Sequence, residues 1–259
     1  MTLALIDSAT MLRRNLQRMV RYPSMTLTLA LMPIVFLLLF VYVFGGTLGD
    51  GLGGAGGRAA YANYVAPGII LMTVSAAAQG TAISIAMDMT EGIIARFKTM
   101  AIARASVLTG HVVGSMIQTL LIMGLVTGVA LLVGFEPTAG VGDWFAVVGV
   151  LAMITFALTW LSVALGMVAK TVESASNLPM PLVLLPFLGS AFVPTESMPA
   201  AVRVFAEYQP FTPFIETVRG LLMGTPIGDG FVLTAAWCVV IGVGGYLWSK
   251  KLFNRDPAS

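Results

Sequence analysis

MTLTLALMPIVFLLLFVYVF, residues 25–44, is a run of twenty residues without a charge. An α-helix of about 20 apolar residues crosses the roughly 30 Å of hydrocarbon in a bilayer. Five further stretches resemble the first: residues 65–87, 108–133, 144–169, 178–193 and 231–248. The weakest of these patterns is 178–193, because Pro179, Pro181 and Pro186 interrupt it. The sequence therefore predicts an all-α integral membrane protein with six transmembrane helices.

The composition agrees with a chain whose main solvent is lipid. Hydrophobic residues make up 58% and charged residues 10%, and the mean hydropathy is +0.92. The net charge of +2 is explained by the loops, so it gives no argument for a nucleic-acid partner. Cys238, the one cysteine, can form no intrachain disulfide.

The basic residues lie mostly on alternate sides of the apolar stretches. With both termini in the cytoplasm, only Arg58, Arg203 and Arg219 lie outside, so 11 of the 14 basic residues lie inside. Such a bias is the usual orientation signal of membrane proteins. It predicts a multi-pass protein of the cell (plasma) membrane whose two termini are cytoplasmic, with the first apolar run retained as an anchor.

Three regions follow from this topology: a cytoplasmic amphipathic helix at 1–23, a six-span transmembrane domain at 24–249 and a cytoplasmic tail at 250–259. In the first, apolar residues gather on one helical face, and Arg14, Arg18 and Arg21 project from the other. The pattern predicts an interfacial helix whose arginines face lipid headgroups or a cytoplasmic partner. The alternative is a polar leader that only sets orientation.

The longest internal cytoplasmic segment, about 90–104, also has a helical pattern. Ile93, Ile94, Phe97 and Met100 recur at helical intervals, and three basic residues lie among them: Arg96, Lys98 and Arg104. Such an apolar ridge flanked by charges suits docking into a groove on another protein. The same helix could instead lie on the lipid surface, and the pattern favours neither.

Two predicted outer segments differ in character. Residues 45–60 are dominated by glycine and are expected to be flexible. Residues from about 194 to 228 contain two amphipathic pieces separated by Pro210 and Pro213, each too short to span, which predicts re-entrant or interfacial helices. Within the second piece, Glu216 and Arg219 are three residues apart and can pair on one face as part of an outer gate.

The predicted spans carry polar side chains but no Asp, Glu, Lys or Arg, which argues against a proton- or sodium-coupled carrier. His111 is near the start of the third span, where a structural role is expected, and no second histidine is available for a metal site. The chain has no phosphate loop, so it is not expected to bind ATP itself. Candidates for lining a translocation path are the polar groups Gln79, Thr81, Ser84, Gln118, Thr119, Thr155 and Thr159.

Three features together give the chain a resemblance to a known family: the pre-span helix, the segment EGIIARFKTM at 91–100 followed by Ala103-Arg104-Ala105, and the late block of 194–220 with its prolines, Glu216 and Arg219. The chain resembles a type-2 ATP-binding-cassette exporter permease, in the style of the daunorubicin-resistance membrane subunits. The resemblance implies that Glu91, Ile93, Ile94, Arg96, Phe97, Lys98 and Arg104 belong to a coupling helix. One departure is Thr99-Met100-Ala101, in place of the more usual proline-containing turn.

The resemblance also implies a cytoplasmic ATPase subunit that binds ATP and Mg²⁺, no cofactor in this chain, and pairing with a second copy or a related permease. The expected function is efflux of an amphipathic drug-like or lipid molecule. An exporter of a lipid-linked glycan or cell-wall precursor is an alternative. A non-transporting scaffold or immunity protein is another, whereas a membrane-embedded enzyme is disfavoured because the spans hold almost no groups for catalysis.

Overall fold

The computed structural model describes residues 13, 17 and 21 and the stretches 23–52, 56–92 and 104–254. Every regular element in these stretches is helical, and none is a strand. The prediction of an all-α protein is therefore confirmed for the described residues. Most of the predicted interfacial helix 1–23, residues 93–103 and the last five residues of the predicted tail lie outside them.

The helices are, in chain order, α1 (Pro23–Leu38), a π-helical turn (Leu39–Phe44), α2 (Gly45–Asp50), α3 (Gly57–Thr90), α4 (Arg104–Val133), α5 (Val141–Val168), α6 (Val172–Asn177), α7 (Met180–Leu184), α8 (Ala200–Tyr208), α9 (Phe211–Met223) and α10 (Gly230–Phe253). Short 3₁₀ turns follow α7 at Leu185–Leu188 and precede α8 at Thr195–Ser197. The glycine-rich stretch predicted to be flexible is thus helical over α2 and again from Gly57.

Five of these stretches are long and apolar enough to cross a membrane: Leu27–Asp50, Gly57–Thr90, Leu108–Val133, Val141–Val168 and Gly230–Phe253. They correspond to five of the six predicted spans. The remaining one, 178–193, is not a continuous helix, because the apolar stretch Val172–Leu188 is divided among α6, α7 and a 3₁₀ turn. Its prolines explain the division, since Pro179, Pro181 and Pro186 have no N–H to donate and disfavour helix in the residue before them.

Two helices form the centre of the bundle. In the most apolar part of α3 72% of the residues are buried, and in α5 61%, against 22–28% in the α1–α2 stretch, α4 and α10. Large apolar side chains on these peripheral helices remain exposed, among them Leu132 at 87%. An apolar outer surface of this kind is expected where lipid replaces water.

Contacts between helices define two ends of the bundle. At the first, called here the Gly57 end, the N–H of Glu136 donates to Asn63 at 2.7 Å, and the N–H of Thr138 donates to the Leu222 carbonyl at 3.0 Å. At the opposite Thr90 end, a small apolar cluster joins α3, α4, α5 and α10 through Ile85, Leu108, Val112, Trp160, Val163 and Phe253. The loops that follow α4 and α9 therefore share one end of the bundle, and the last turn of α10 lies at the other.

Candidate functional site

The polar groups at the Gly57 end converge on α9. This helix begins after Pro210, and Gln209 accepts the N–H of Phe211 at 3.0 Å. Pro213 lies in the first turn, where a missing N–H leaves no hydrogen bond unmade. Phe214 and Val218 are fully buried, so this part of α9 is inserted into the core. Arg219 follows Val218 directly and is therefore placed at the same depth.

Arg219 lies on that inserted part of α9 and is only 8% exposed. Its Nη2 donates to the Ser190 carbonyl at 2.6 Å and to the Tyr64 carbonyl at 3.1 Å, and Nε donates to the latter at 3.3 Å. Nη1 donates to Oε1 of Glu216 at 2.5 Å. We call Arg219, Glu216, Tyr64 and Ser190 the arginine junction.

Aromatic rings complete the junction. The guanidinium carbon of Arg219 lies 3.9 Å from the centre of the Tyr64 ring, a cation–π geometry. The hydroxyl of Tyr64 donates to the Ser190 carbonyl at 3.0 Å, and that of Tyr61, one turn away, donates to the Phe192 carbonyl at 3.0 Å. The carbonyls of the non-helical stretch 189–194, which follows the 3₁₀ turn Leu185–Leu188, are thus bonded by α3 and α9.

The residues of the arginine junction have the chemistry of a structural support. A guanidinium stays protonated and offers five donors in a rigid fork, so it can bind several carbonyls at once. The side chain of Glu216 is 46% exposed, so this carboxylate keeps part of its hydration. The arrangement fixes three segments of the chain to one another, and it places the two residues of the predicted outer gate in contact.

A second polar contact lies at the Thr90 end. Nε2 of His111 on α4 is 3.0 Å from Oδ2 of Asp88 on α3, and the two side chains are only 6% and 2% exposed. Sequence reasoning missed this contact, because it placed Asp88 just beyond the second span and assigned His111 a structural role by itself. The available signal was topological: two consecutive antiparallel helices bring residues near their shared turn together.

The candidate path residues are placed mainly within single helices. The hydroxyls of Thr81, Thr119 and Thr159 donate to the carbonyl four residues earlier in their own helix, at 3.0, 2.8 and 2.6 Å. Gln79 donates to the Ser176 carbonyl at 2.6 Å and so joins α3 to α6. The assignment of these residues to a path remains a prediction.

The other path candidates differ in their surroundings. Ser84 and Gln118 are half-buried, and Gln118 takes part in a further polar contact. The hydroxyl of Thr155 is buried and, within the described part of the chain, has no hydrogen-bond partner. Unlike Thr81, Thr119 and Thr159, Thr155 therefore has a hydroxyl that no hydrogen bond within its own helix satisfies.

The residues of the predicted cytoplasmic surface are only partly described. Glu91 is exposed in the turn after α3, Arg104 begins α4, and Arg21 is helical and exposed. The rest of the two sets lies outside the described residues: Arg14, Arg18, Ile93, Ile94, Arg96, Phe97 and Lys98. The coupling and interfacial roles stay predictions.

Comparison with known proteins matches these features to one family. Residues 8–223 match the model of the family described as ABC-2 type transporter. The chain is 29% identical over 227 residues to the daunorubicin resistance ABC transporter permease protein DrrB1 of Streptomyces coeruleorubidus, covering 86% of this chain and 77% of that protein.

Similarity extends to a mycobacterial protein over a shorter region. The chain is 26% identical over 183 residues to the probable doxorubicin resistance ABC transporter permease protein DrrC of Mycobacterium tuberculosis, strains CDC 1551 and H37Rv. The match covers 67% of this chain and 65% of that relative, slightly less than two thirds of its length. Because the family model covers most of the sequence, with its apolar helices and late α8–α9 block, the chain belongs to the ABC-2 type transporter family.

Proposed function

We propose that this chain is the permease subunit of an exporter that moves an amphipathic drug-like molecule out of the cell. The observation that carries the proposal is the family match over residues 8–223 together with the relatives named for daunorubicin and doxorubicin resistance. The exposed apolar faces of the peripheral helices support a membrane location. In this proposal a separate cytoplasmic ATPase binds ATP and Mg²⁺, and the permease works as a homodimer or with a related permease.

The proposed topology places the Thr90 end in the cytoplasm. Arg58, Arg203 and Arg219 belong to the Gly57 end, whereas Lys170, Lys250 and Lys251 follow or end helices that finish at the Thr90 end. These two sets are equal in number, but the Thr90 end gains Arg104 and the basic residues of 1–23, 93–103 and 255–259, which gives 11 against 3. Such a bias favours the cytoplasmic side for the Thr90 end. Both termini are then cytoplasmic.

The proposed sixth crossing is the interrupted stretch 172–193. Along it, contacts with α3 run from Gln79–Ser176 through Gly68–Ala191 to Tyr61–Phe192. The 18-residue separation of Tyr61 and Gln79 on α3 corresponds to about 27 Å of helix at about 1.5 Å per residue. That length is close to the roughly 30 Å hydrocarbon core, so a broken, protein-covered segment can complete the crossing.

Residues 90–104 are proposed as the coupling helix, with Ile93, Ile94 and Phe97 in a groove of the ATPase. Support comes from the ends of α3 and α4, which bring residues 92 and 104 to the same end of the bundle. The predicted outer gate is α8–α9 and the arginine junction at the opposite end. ATP-driven movement at one end then reaches the other through the helices that run between them, among them α3, which contributes to both.

Transport is tested in inside-out vesicles containing the permease and its proposed partner ATPase. We expect ATP-dependent uptake of a fluorescent anthracycline, absent with either subunit alone or with a hydrolysis-deficient ATPase. Stimulation of ATP hydrolysis by a lipid-linked glycan precursor, with no anthracycline uptake, would assign the alternative cargo. A stable complex without transport of either compound would indicate a scaffold and contradict the proposal.

Topology is tested separately by cysteine labelling in a Cys238→Ser background. Single cysteines at Asp50, Thr138 and Glu207 should react with an impermeant maleimide in intact cells. Matched cysteines at Glu91 and Asn254 should react only after permeabilisation. The reverse pattern would overturn the assignment of the two ends.

A further inference from the structure

We infer that the Asp88–His111 contact is a positioning element that ties the cytoplasmic ends of α3 and α4 into one unit and so transmits movement of the coupling segment to both helices. The inference deepens the proposed function and rests on it for its consequence in transport. Its structural core, a tie between the two helix ends, is tested independently below.

The first argument is the cost of placing these groups where they are. Asp88 is one turn from Ile85, and His111 lies between Leu108 and Val112. Ile85, Leu108 and Val112 are members of the apolar cluster at the Thr90 end. A carboxylate in such surroundings is strongly destabilising unless it is paired or hydrogen-bonded. The 3.0 Å contact to His111 supplies such a partner, and Asp88 makes a further polar contact as well.

The second argument is the position of the pair in the chain. Asp88 lies two residues before the end of α3 at Thr90, and His111 lies about two turns after the start of α4 at Arg104. The residues 93–103, proposed to meet the ATPase, connect these two helices in the sequence. A displacement of the connection is therefore applied to two helix ends that are bonded to each other.

The third argument is the difference between the two helices that the pair joins. α3 is the most buried of the five long helices, whereas only 28% of the apolar window of α4 is buried. Without a lateral bond, a peripheral helix can move against its neighbour and absorb the displacement. The contact links the peripheral α4 to the central α3, which also carries Tyr64 of the arginine junction.

The chemistry is that of a bond between two helices. Among the described residues no group of three or more His, Cys, Asp or Glu could hold a metal ion. With a protonated imidazole the contact is an ion pair, and with a neutral one it is a hydrogen bond. Either form restrains the two helix ends.

The tie itself is tested on the purified full-length permease by hydrogen–deuterium exchange. Asp88→Ala and His111→Ala should each raise exchange of residues 85–92 and 104–112 by about tenfold, with residues 57–70 unchanged. His111→Gln, whose amide can donate to the carboxylate, should stay within about twofold of wild type. Unchanged exchange in both alanine variants overturns the inference, whatever the transport assay gives.

The consequence is tested in the reconstituted complex with its ATPase, using anthracycline uptake per assembled complex. Asp88→Ala and His111→Ala should lower the maximal rate by about fivefold with little change in KM, and His111→Gln should restore it. Val112→Ala, a neighbouring buried truncation, is the matched control and should lower Tm without this loss per complex. If the loss of transport follows the fall in Tm equally in all three truncations, the transmission role is overturned. An inactive wild-type complex would count against the proposed function, and the exchange experiment would then decide whether the two helix ends are tied.

Discussion

The two ends of α3 are held to their neighbours in different ways. At the Gly57 end, one guanidinium binds the carbonyls of Tyr64 and Ser190 and the carboxylate of Glu216, so three segments share a donor that cannot lose its charge. At the Thr90 end, Asp88 meets His111, a side chain whose contact is either ionic or neutral. The difference indicates that a single guanidinium joins three segments at the first end, whereas the Asp88–His111 contact joins two helices at the second, beside an apolar cluster.

The comparison predicts that Arg219→Ala has the largest effect on stability. It removes the donors to two carbonyls and the partner of Glu216, and we expect the free energy of unfolding to fall by about 3 kcal/mol. Thermal unfolding in detergent measures the loss. Arg203→Ala is the control: its i,i+4 pair with Glu207 is exposed and is worth about 0–1 kcal/mol. Equal effects of the two substitutions would contradict a buried arginine junction.

Phe97→Ala tests the Thr90 end from the side of the partner. If Phe97 anchors the coupling helix in a groove of the ATPase, its truncation should cost about 2 kcal/mol, or about 30-fold in Kd. Membrane abundance should hold while binding of the ATPase falls. Phe205→Ala, on exposed α8, is the matched aromatic control and should leave Kd unchanged. If the Phe97→Ala variant binds the ATPase as tightly as wild type, the alternative interpretation, a helix that lies on the lipid surface, would be favoured.

Gly68→Ala tests how closely the interrupted crossing must approach α3. A Cβ at Gly68 would lie 2.7 Å from the Cα of Ala191, beside the carbonyl that Arg219 binds. We expect a loss of about 1–2 kcal/mol in thermal unfolding, because the backbone must shift. Gly124→Ala on α4 meets nothing within 4 Å and should be neutral or stabilising by up to about 1 kcal/mol. A stable Gly68→Ala variant would mean that the two segments separate easily.

Glu216→Gln should have the smallest effect. The carboxylate is half-exposed, and the amide keeps an acceptor oxygen for Arg219, so the loss should stay below about 1 kcal/mol. A double-mutant cycle with Arg219→Ala measures how much of the arginine effect passes through Glu216. A coupling energy as large as the whole Arg219→Ala effect would mean that the carbonyl contacts contribute nothing.

The sequence predicted what depends on local pattern. Apolar length located five long helices, and the spacing of Glu216 and Arg219 indicated a contact three residues apart on one helix. It did not indicate the carbonyls of Tyr64 and Ser190, because their distances of 155 and 29 residues from Arg219 carry no periodic signal. The start of α3 at Gly57 instead of 65 has a related cause, since the first turns are held by tyrosine bonds to the same distant stretch.

The prolines of 178–193 were visible, but their effect on the path of the chain was not. Apolar composition predicted a helix there, and the helix breaks instead. The resulting non-helical carbonyls need donors, and these come from α3 and α9 in the folded bundle. Thr155 gives a different example, because a polar residue on an apolar helix was identified by type, whereas its lack of a partner within the described residues is visible only in three dimensions.

The interrupted stretch also has a consequence for how the chain is made. Its open carbonyls cannot remain in lipid by themselves, so it cannot settle in the membrane as an independent segment. Tyr61 and Tyr64 have already been synthesised when Ser190 leaves the ribosome, but Arg219 follows 29 residues later. At a synthesis rate of about 5–20 residues per second, Arg219 is added about 1.5–6 s after Ser190. Biogenesis of this protein therefore includes an interval in which the tyrosine hydroxyls of α3 can bond the carbonyls of this stretch but Arg219 cannot yet do so.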